Sequence, residues 1–286
     1  MLSNKQLVIG CSIAFLSNLA LLALFVKYNI GEKFYITINH QDITVILPES
    51  YLSIGIDASE IQDFNKVDFS NERLLNLAAA LSPARLRLGE TSSSYGGGAP
   101  GLSNSFAGTP LWLDKLGLAA KNNITTVVRQ SFLGGNYSLI DKNLRPLPDW
   151  WVSVLYKKLV GNKVLNLTSN SSKFQRLYVH CANRNYTNDT TAITLYGINL
   201  QMEKIRFLVN GTAFTKDDLV IDEYIVSAPS NNRRSKTILL NGWPLYYESS
   251  MPELKPKEHM HTKHISMPPY SVGFWVIKNT TIKNCS

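Results

Sequence analysis

Hydrophobic and polar positions follow two alternating patterns along the first half of the chain. Apolar runs rich in β-branched residues predict strands, and leucines that recur every three or four residues predict amphipathic helices. In residues 69–84, FSNERLLNLAAALSPA, Ser70 or Asn71 can cap a helix that Pro83 ends. The leucines expected on its buried side are Leu74, Leu75, Leu77 and Leu81. Further strands are predicted at 33–47, 51–59, 84–90 and 124–135, and further helices at 111–122 and 148–161. Strands that alternate with helices favour βαβ units and a parallel sheet.

Beyond about residue 162 the helical periodicity disappears. Short apolar strands follow one another between polar turns, which is typical of an antiparallel sandwich. These strands are predicted at 174–182, 191–200, 204–209, 219–228, 236–242 and 270–278. The pattern therefore predicts an α/β domain followed by an all-β domain.

The N-terminus carries a long apolar segment. Residues 6–26 contain no charged side chain and lie between Lys5 and Lys27. A helix of this length spans roughly 30 Å, which is enough to cross a bilayer. It is either an uncleaved signal-anchor or a long signal peptide, and the lack of a clean small-x-small cleavage site after Phe25 favours the anchor.

Glycosylation signals follow the apolar segment and predict a body in the secretory lumen or outside the cell. The nine Asn-x-Ser/Thr sequons begin at Asn123, Asn136, Asn166, Asn170, Asn185, Asn188, Asn210, Asn279 and Asn284. Because Cys285 is the middle residue of the last sequon, we predict glycans at the first eight. Cys11 lies in the apolar segment, so Cys181 and Cys285 are the candidates for a disulfide, with two buried thiols as the alternative.

The chain is basic, with a formal net charge of +8. This favours acidic partners such as polyanionic glycans, nucleic acid or anionic lipid. The densest basic segment, NNRRSK at 231–236, is interpreted as a solvated loop. The histidines of HMHTKH, at His259, His261 and His264, do not have the spacing of a zinc site, so this segment is also interpreted as a loop and no metal is expected.

Three predicted strands end in residues suited to sugar chemistry: Asp57, Glu90 in GETSSSYGGG, and GGNY at 134–137. Ligands of parallel α/β folds bind at the carboxyl ends of the strands. Glycines allow a ligand to approach the backbone, and a tyrosine offers an apolar face and a hydroxyl. The alternative is a set of strand-terminal acids beside a flexible loop.

The segments GETSSSYGGGAPGLSNSFAG, LWLDKLGLAAK, VVRQSFLGGNYSLID, PLPDWWVSVLYKKLVG and LYVHCAN resemble the C-terminal half of the heparanases, in glycoside hydrolase family 79. YLSIGIDAS and LAAALSPARLRLG resemble the start of the barrel of that family. The resemblance implies a retaining endo-β-glucuronidase that acts on heparan sulfate or a related acidic glycosaminoglycan, without a cofactor and without nucleic acid as a partner. It also implies a secreted, membrane-anchored or lysosomal protein.

The resemblance assigns roles residue by residue. Glu90 would be the nucleophile, and Cys181 and Cys285 would form the disulfide of the sandwich. The substrate-contacting residues would be Asp57, Ala58, Ser59, Tyr95, Gly96, Gly97, Gly135, Asn136 and Tyr137. The domains would then be an anchor or signal peptide at 1–30, strands at 31–48 that join the sandwich, a TIM-type barrel domain at 49–161, and the sandwich at 162–286.

The chain departs from the family at 84–90, where ARLRLGE merges two strands that the family keeps apart. We therefore predict an incomplete (β/α)8 barrel, because such barrels need about 200 residues or more. The family places its acid/base glutamate in an Asn-Glu pair at a strand end, whereas the Asn-Glu pair of this chain, Asn71-Glu72, starts a helix. The basic segments with which the family grips sulfated sugar are also missing. The alternative to an impaired hydrolase is a non-catalytic form that binds glycan or a partner protein.

Overall fold

The computed structural model describes residues 32–56, 68–88, 98–210, 214 and 219–285. The chain is a mixed α/β protein with one small and one large sheet. The helices are α1 (Glu72–Ala79), α2 (Thr109–Lys121) and α3 (Pro148–Leu159). The strands are β1 (Glu32–Ile46), β2 (Leu52–Ile56), β3 (Leu86–Leu88), β4 (Val127–Arg129), β5 (Val160–Ser169), β6 (Gln175–Ala182), β7 (Ile193–Asn199), β8 (Ile205–Asn210), β9 (Val220–Ser227), β10 (Ile238–Leu240), β11 (Trp243–Leu245), β12 (Lys257–Met260), β13 (His264–Met267) and β14 (Ser271–Lys278).

The small sheet has the order β3-β2-β4, and both pairs of strands are parallel. Ile56 lies opposite Leu88, and Ile54 lies opposite Arg129. The prediction of a parallel sheet is therefore confirmed. Because β2, α1 and β3 form one βαβ unit, the ends of β2 and β3 point to the same side of the molecule.

Helix α1 begins where the sequence indicates. The Asn71 side chain accepts a hydrogen bond from the Leu74 backbone N–H at 3.2 Å, which is an N-cap. Leu74, Leu77 and Leu81 are buried as predicted, but Leu75 is exposed. The prediction for Leu75 is wrong because consecutive helical residues are rotated by about 100°, which turns this side chain out of the buried stripe.

The large sheet has the order β11-β10-β9-β14-β7-β6-β5-β1-β8-β13, with β12 also pairing with β9. Its pairs are antiparallel except for β1 and β8. Alternate residues of each strand face opposite sides. Tyr196 and Phe274 face the helices and belong to the same buried core as they do. Leu195 and Trp275 point to the opposite face and belong to a second core, which is enclosed by strands from both ends of the sheet.

Several strands of the large sheet carry no clear signal in the sequence. The prediction includes no strand at β5, β11, β12 or β13. The interpretation of HMHTKH as a loop is wrong at both ends, because His259 lies in β12 and His264 begins β13. Strands β5, β12 and β13 contain charged or polar side chains that interrupt the apolar alternation of a half-buried strand, whereas β11 has only three residues, one of them Pro244.

The large sheet also contains the disulfide. Cys181 in β6 is bonded to Cys285, 104 residues further along the chain. Helix α3 continues directly into β5 at Val160, and its residues share one buried cluster with the large sheet. The division into domains at residue 162 therefore remains a prediction.

The predicted signal-anchor at 6–26 lies outside the described residues. Within the part of the chain that the structure describes, no helix combines the length and apolarity needed to cross a bilayer. The predicted glycan sites at Asn123, Asn166, Asn170, Asn185 and Asn188 are exposed, and those at Asn136, Asn210 and Asn279 are half-buried. Their glycosylation remains a prediction.

Candidate functional site

The candidate site lies at the carboxyl ends of the small sheet. Of the residues predicted for it, Asp57, Ala58, Ser59, Glu90, Tyr95, Gly96 and Gly97 lie outside the described residues. The strands that lead to Asp57 and Glu90 are neighbours, since β2 and β3 pair directly and Ile56 is opposite Leu88. The described part of the site comprises the loop at 98–105, which leads to α2, and the loop at 130–147, which leads to α3.

These two loops touch each other. Gly98 has a φ of +97° and packs so closely against Tyr137 that an added Cβ would lie 2.6 Å from the tyrosine Cδ1. Gly98 directly follows the Tyr95-Gly96-Gly97 motif, and Tyr137 ends the GGNY motif. The fold therefore places the residue that follows one predicted substrate segment against the last residue of another, about 40 residues further along the sequence.

The loop that carries Tyr137 is held by its own hydrogen bonds. The buried Ser131 hydroxyl lies 2.8 Å from the carbonyl oxygens of both Leu133 and Gly134. The Leu139 N–H donates to the Ser131 carbonyl at 3.0 Å. Gly135 has a φ of +77°, and no atom of the described residues lies within 4 Å of the place that a Cβ would take. The described part of the chain therefore leaves the backbone at Gly135 accessible to a ligand.

A single arginine ties this loop to α1 and to the segment that follows β11. Arg73 donates from Nε to the Leu144 carbonyl at 2.9 Å and from Nη2 to the Tyr247 carbonyl at 2.8 Å. Its Nη1 donates a hydrogen bond to the Glu248 carbonyl, and its guanidinium lies 4.8 Å from the centre of the Tyr247 ring. Because these acceptors come from separate segments, Arg73 fixes the position of the loop relative to the rest of the molecule.

A buried ion pair lies beneath the strand ends. Arg129, the last residue of β4, is 2.6 Å from Asp149 in the first turn of α3, and Thr109 at the start of α2 donates to the same carboxylate at 2.8 Å. The arginine also lies 5.0 Å from the centre of the Trp112 ring. Burial raises the pKa of Asp149, although Arg129 and Thr109 oppose the shift. The pair joins the starts of two helices to one strand end.

The described carboxylates near the site have structural partners. Asp141 accepts hydrogen bonds from the backbone N–H groups of Asn143 and Arg145 and from the Arg145 side chain. Asp149 is buried in its ion pair. Glu72 is exposed in the first turn of α1, as expected from the Asn71 cap. Asp141 and Asp149 are therefore held by structural partners, whereas Glu72 is exposed to solvent.

Sequence reasoning missed both Arg73 and Arg129. Arg129 could have been found, because a charged residue at the end of a β-branched strand is rarely buried without a partner. Arg73 had no signal, since it resembles any exposed residue of a first helical turn. Its partners are backbone carbonyls from distant segments.

No protein-family model matches the chain. Among curated proteins, the heparanase of Bos taurus is 40% identical over 225 residues, which are 76% of this chain and 41% of the relative. The inactive heparanase-2 of Homo sapiens is 35% identical over 204 residues, which are 66% of this chain and 34% of the relative.

Among solved structures, a GH51 α-L-arabinofuranosidase from Thermotoga petrophila RKU-1 covers 64% of this chain and 41% of its own, with 11% identity and a TM-score of 0.44. A likeness this weak carries no argument about the fold. The sequence identity carries the assignment, because it extends over three quarters of the chain. The chain therefore belongs to the heparanase family.

Proposed function

We propose that the chain is a heparanase-like glycoside hydrolase of the retaining endo-β-glucuronidase class, which binds heparan sulfate or a related acidic glycosaminoglycan and whose turnover is impaired. The contact between Gly98 and Tyr137 supports this proposal, because Gly98 directly follows the Tyr95-Gly96-Gly97 motif and Tyr137 ends the GGNY motif. Family membership and the charge of +8 support an anionic glycan as the ligand. The chain covers 41% of the length of its bovine relative.

We further propose that the three parallel strands are part of a (β/α)8-type barrel and that the large sheet is the sandwich of the family. Each strand of the small sheet is followed along the chain by a helix, which is the repeating unit of such a barrel. The enclosed second core of the large sheet supports its assignment as a sandwich.

In this proposal Glu90 is the nucleophile that attacks the anomeric carbon. Asp57, Ala58, Ser59, Tyr95, Gly96, Gly97, Gly135, Asn136 and Tyr137 contact the sugar. A retaining glycosidase needs a second carboxyl group about 5–5.5 Å from the first, to protonate the leaving oxygen and then to activate water. Without that group the rate should fall by roughly 10²–10⁴.

A non-catalytic glycan-binding protein is the second candidate. Two observations favour it: Glu72 is an exposed helix-start residue, and a relative at 35% identity is named inactive heparanase-2. In this case the site would bind the same glycan without cleaving it.

One pair of measurements tests both candidates. The full chain and its Glu90→Gln variant are incubated with heparan sulfate beside bovine heparanase, and fragment sizes are followed by size-exclusion chromatography. We expect both proteins to bind the glycan, the full chain to cleave it at least about 100-fold more slowly than bovine heparanase, and Glu90→Gln to leave it uncut. Cleavage at a rate close to that of bovine heparanase would overturn the impairment, no cleavage by either protein would favour the non-catalytic candidate, and failure of the chain to bind heparan sulfate would overturn the ligand class.

A further inference from the structure

The basic segment at 231–236, here called the basic loop, has a defined conformation. Ser230 and Asn231 adopt positive φ values of 49° and 56°. The Asn232 side chain accepts from the Arg234 N–H at 3.1 Å, and the Ser235 N–H donates to the Asn232 carbonyl at 2.8 Å. The loop is therefore a solvent-exposed tight turn, in line with the prediction of a solvated loop.

This loop is bonded directly to the segment that follows the Gly98 loop. The Phe106 N–H donates to the Ser235 carbonyl at 2.9 Å, and the Ala107 N–H donates to the Arg233 carbonyl at 2.7 Å. Phe106 is buried, so its backbone cannot move away from these bonds without disturbing the core. The basic loop thus flanks the same end of the molecule as the contact between Gly98 and Tyr137.

The cations of the loop have different surroundings. The Arg233 guanidinium lies 3.4 Å from the centre of the Tyr270 ring and near the Met202 sulfur. Arg234 and Lys236 are exposed, and among the described residues neither takes part in an ion pair. Two charges are therefore presented to solvent on a fixed backbone beside the candidate site.

We propose that Arg234 and Lys236 form a binding subsite for the sulfate or carboxylate groups of an anionic polysaccharide, outside the strand-end cleft. The proposal rests on the proposed function, since it extends the same cleft towards the large sheet. The guanidinium of Arg234 can bind an oxyanion through two parallel hydrogen bonds, and Lys236 adds a point charge. A fixed backbone lowers the entropy that binding must overcome.

The test compares two double variants that each remove two positive charges. Arg234→Ala/Lys236→Ala removes the subsite. Lys115→Ala/Lys121→Ala removes two exposed lysines of α2 and serves as the control for net charge. Affinities of the full chain for a heparin octasaccharide and a heparin disaccharide are measured by calorimetry at low and high salt.

We expect the loop variant to bind the octasaccharide about tenfold more weakly at low salt and the disaccharide almost normally, because a short ligand in the cleft does not reach the loop. The control should change either affinity by less than about twofold, and the difference should shrink as salt screens the charges. Equal weakening in both variants would overturn the subsite, as would an unchanged octasaccharide affinity.

The measurements of affinity and of cleavage together distinguish a failure of the subsite proposal from a failure of the proposed function. If the loop variant loses octasaccharide affinity while the unmodified chain and Glu90→Gln both leave heparan sulfate uncut, the subsite stands and hydrolysis is overturned. If the unmodified chain cleaves heparan sulfate and the loop variant binds and cleaves as well as it does, hydrolysis stands and the subsite is overturned.

Discussion

The two sheets of the molecule differ in how completely they are covered. Both faces of the large sheet pack into buried clusters, and the disulfide closes it. The small sheet has three short strands, and all three residues of β3 are exposed. The well-covered sheet therefore provides most of the stability, while the less covered one presents its strand ends and loops to a ligand. Stability and chemistry can be perturbed separately if this contrast is correct.

The largest expected effect concerns the disulfide. Changing Cys181 and Cys285 together to serine should lower the free energy of unfolding by about 4–5 kcal/mol, because the bond closes a loop of 104 residues. Denaturant titration without reductant measures this loss. Cys11→Ser is the matched control and should leave the value unchanged. A loss below about 1 kcal/mol would mean that the large sheet does not depend on its cross-link.

The next effect tests where the helices meet the large sheet. His180 is fully buried, its Nδ1 donates to the Gly161 carbonyl at 2.8 Å, and its Nε2 accepts from the Tyr196 hydroxyl at 3.0 Å. Burial lowers the pKa of His180 from 6.5 to about 4. In the unfolded chain His180 is therefore protonated below about pH 6.5, whereas in the folded chain it is protonated only below about pH 4.

The free energy of unfolding should therefore be unaffected by His180 above pH 6.5. It should fall as the pH decreases from 6.5 towards 4, by about 3 kcal/mol in total. His180→Asn should flatten this part of the pH profile, and the exposed His264→Asn should leave it unchanged. The measurement is the unfolding free energy in denaturant at several pH values. Identical slopes for both variants would exclude His180 as the cause.

Substituting the glycines of the loop at 98–105 should lower stability less than the changes above, but one of these substitutions should weaken ligand binding strongly. Gly98→Ala places a Cβ against Tyr137 at a positive φ, whereas the Cβ of Gly101→Ala has the positive φ alone, with no described residue within 4 Å. Each should cost about 1–2 kcal/mol of stability. Gly98→Ala alone should weaken heparin oligosaccharide binding by about tenfold. If Gly98→Ala and Gly101→Ala bind the oligosaccharide equally well, the contact between Gly98 and Tyr137 does not contribute to ligand recognition.

The smallest expected effect concerns the edge of the small sheet. Leu88 in β3 is 62% exposed, and within the described residues β3 pairs with β2 alone. Exposed apolar edge strands favour pairing with other chains. Leu88→Lys should reduce self-association, measured by light scattering, while changing stability by less than about 0.5 kcal/mol. Leu111→Lys, on the exposed surface of α2, is the control and should not reduce it.

Local signals predicted the elements that carry strong apolar periodicity. Helix α1 with its Asn71 cap and the three parallel strands are confirmed by the structure. Strands β12 and β13 were missed because pairing with β9 and β8, rather than their own side chains, makes them strands. For the same reason the pattern of HMHTKH predicts a loop, although His259 lies 3.3 Å from the buried Glu223.

The amino-acid sequence by itself determined the family, the motifs that end the parallel strands, the two candidate cysteines and the basic character of the surface. These properties depend on residue type and on spacing within about ten positions. Only the tertiary structure decided that Tyr137 packs on Gly98, that Arg73 joins α1 to the segment after β11, and that the basic loop is hydrogen-bonded to the segment after the Gly98 loop. The reason is physical: each of these contacts depends on backbone groups or open space supplied by distant segments, and a linear pattern of side chains carries no record of them.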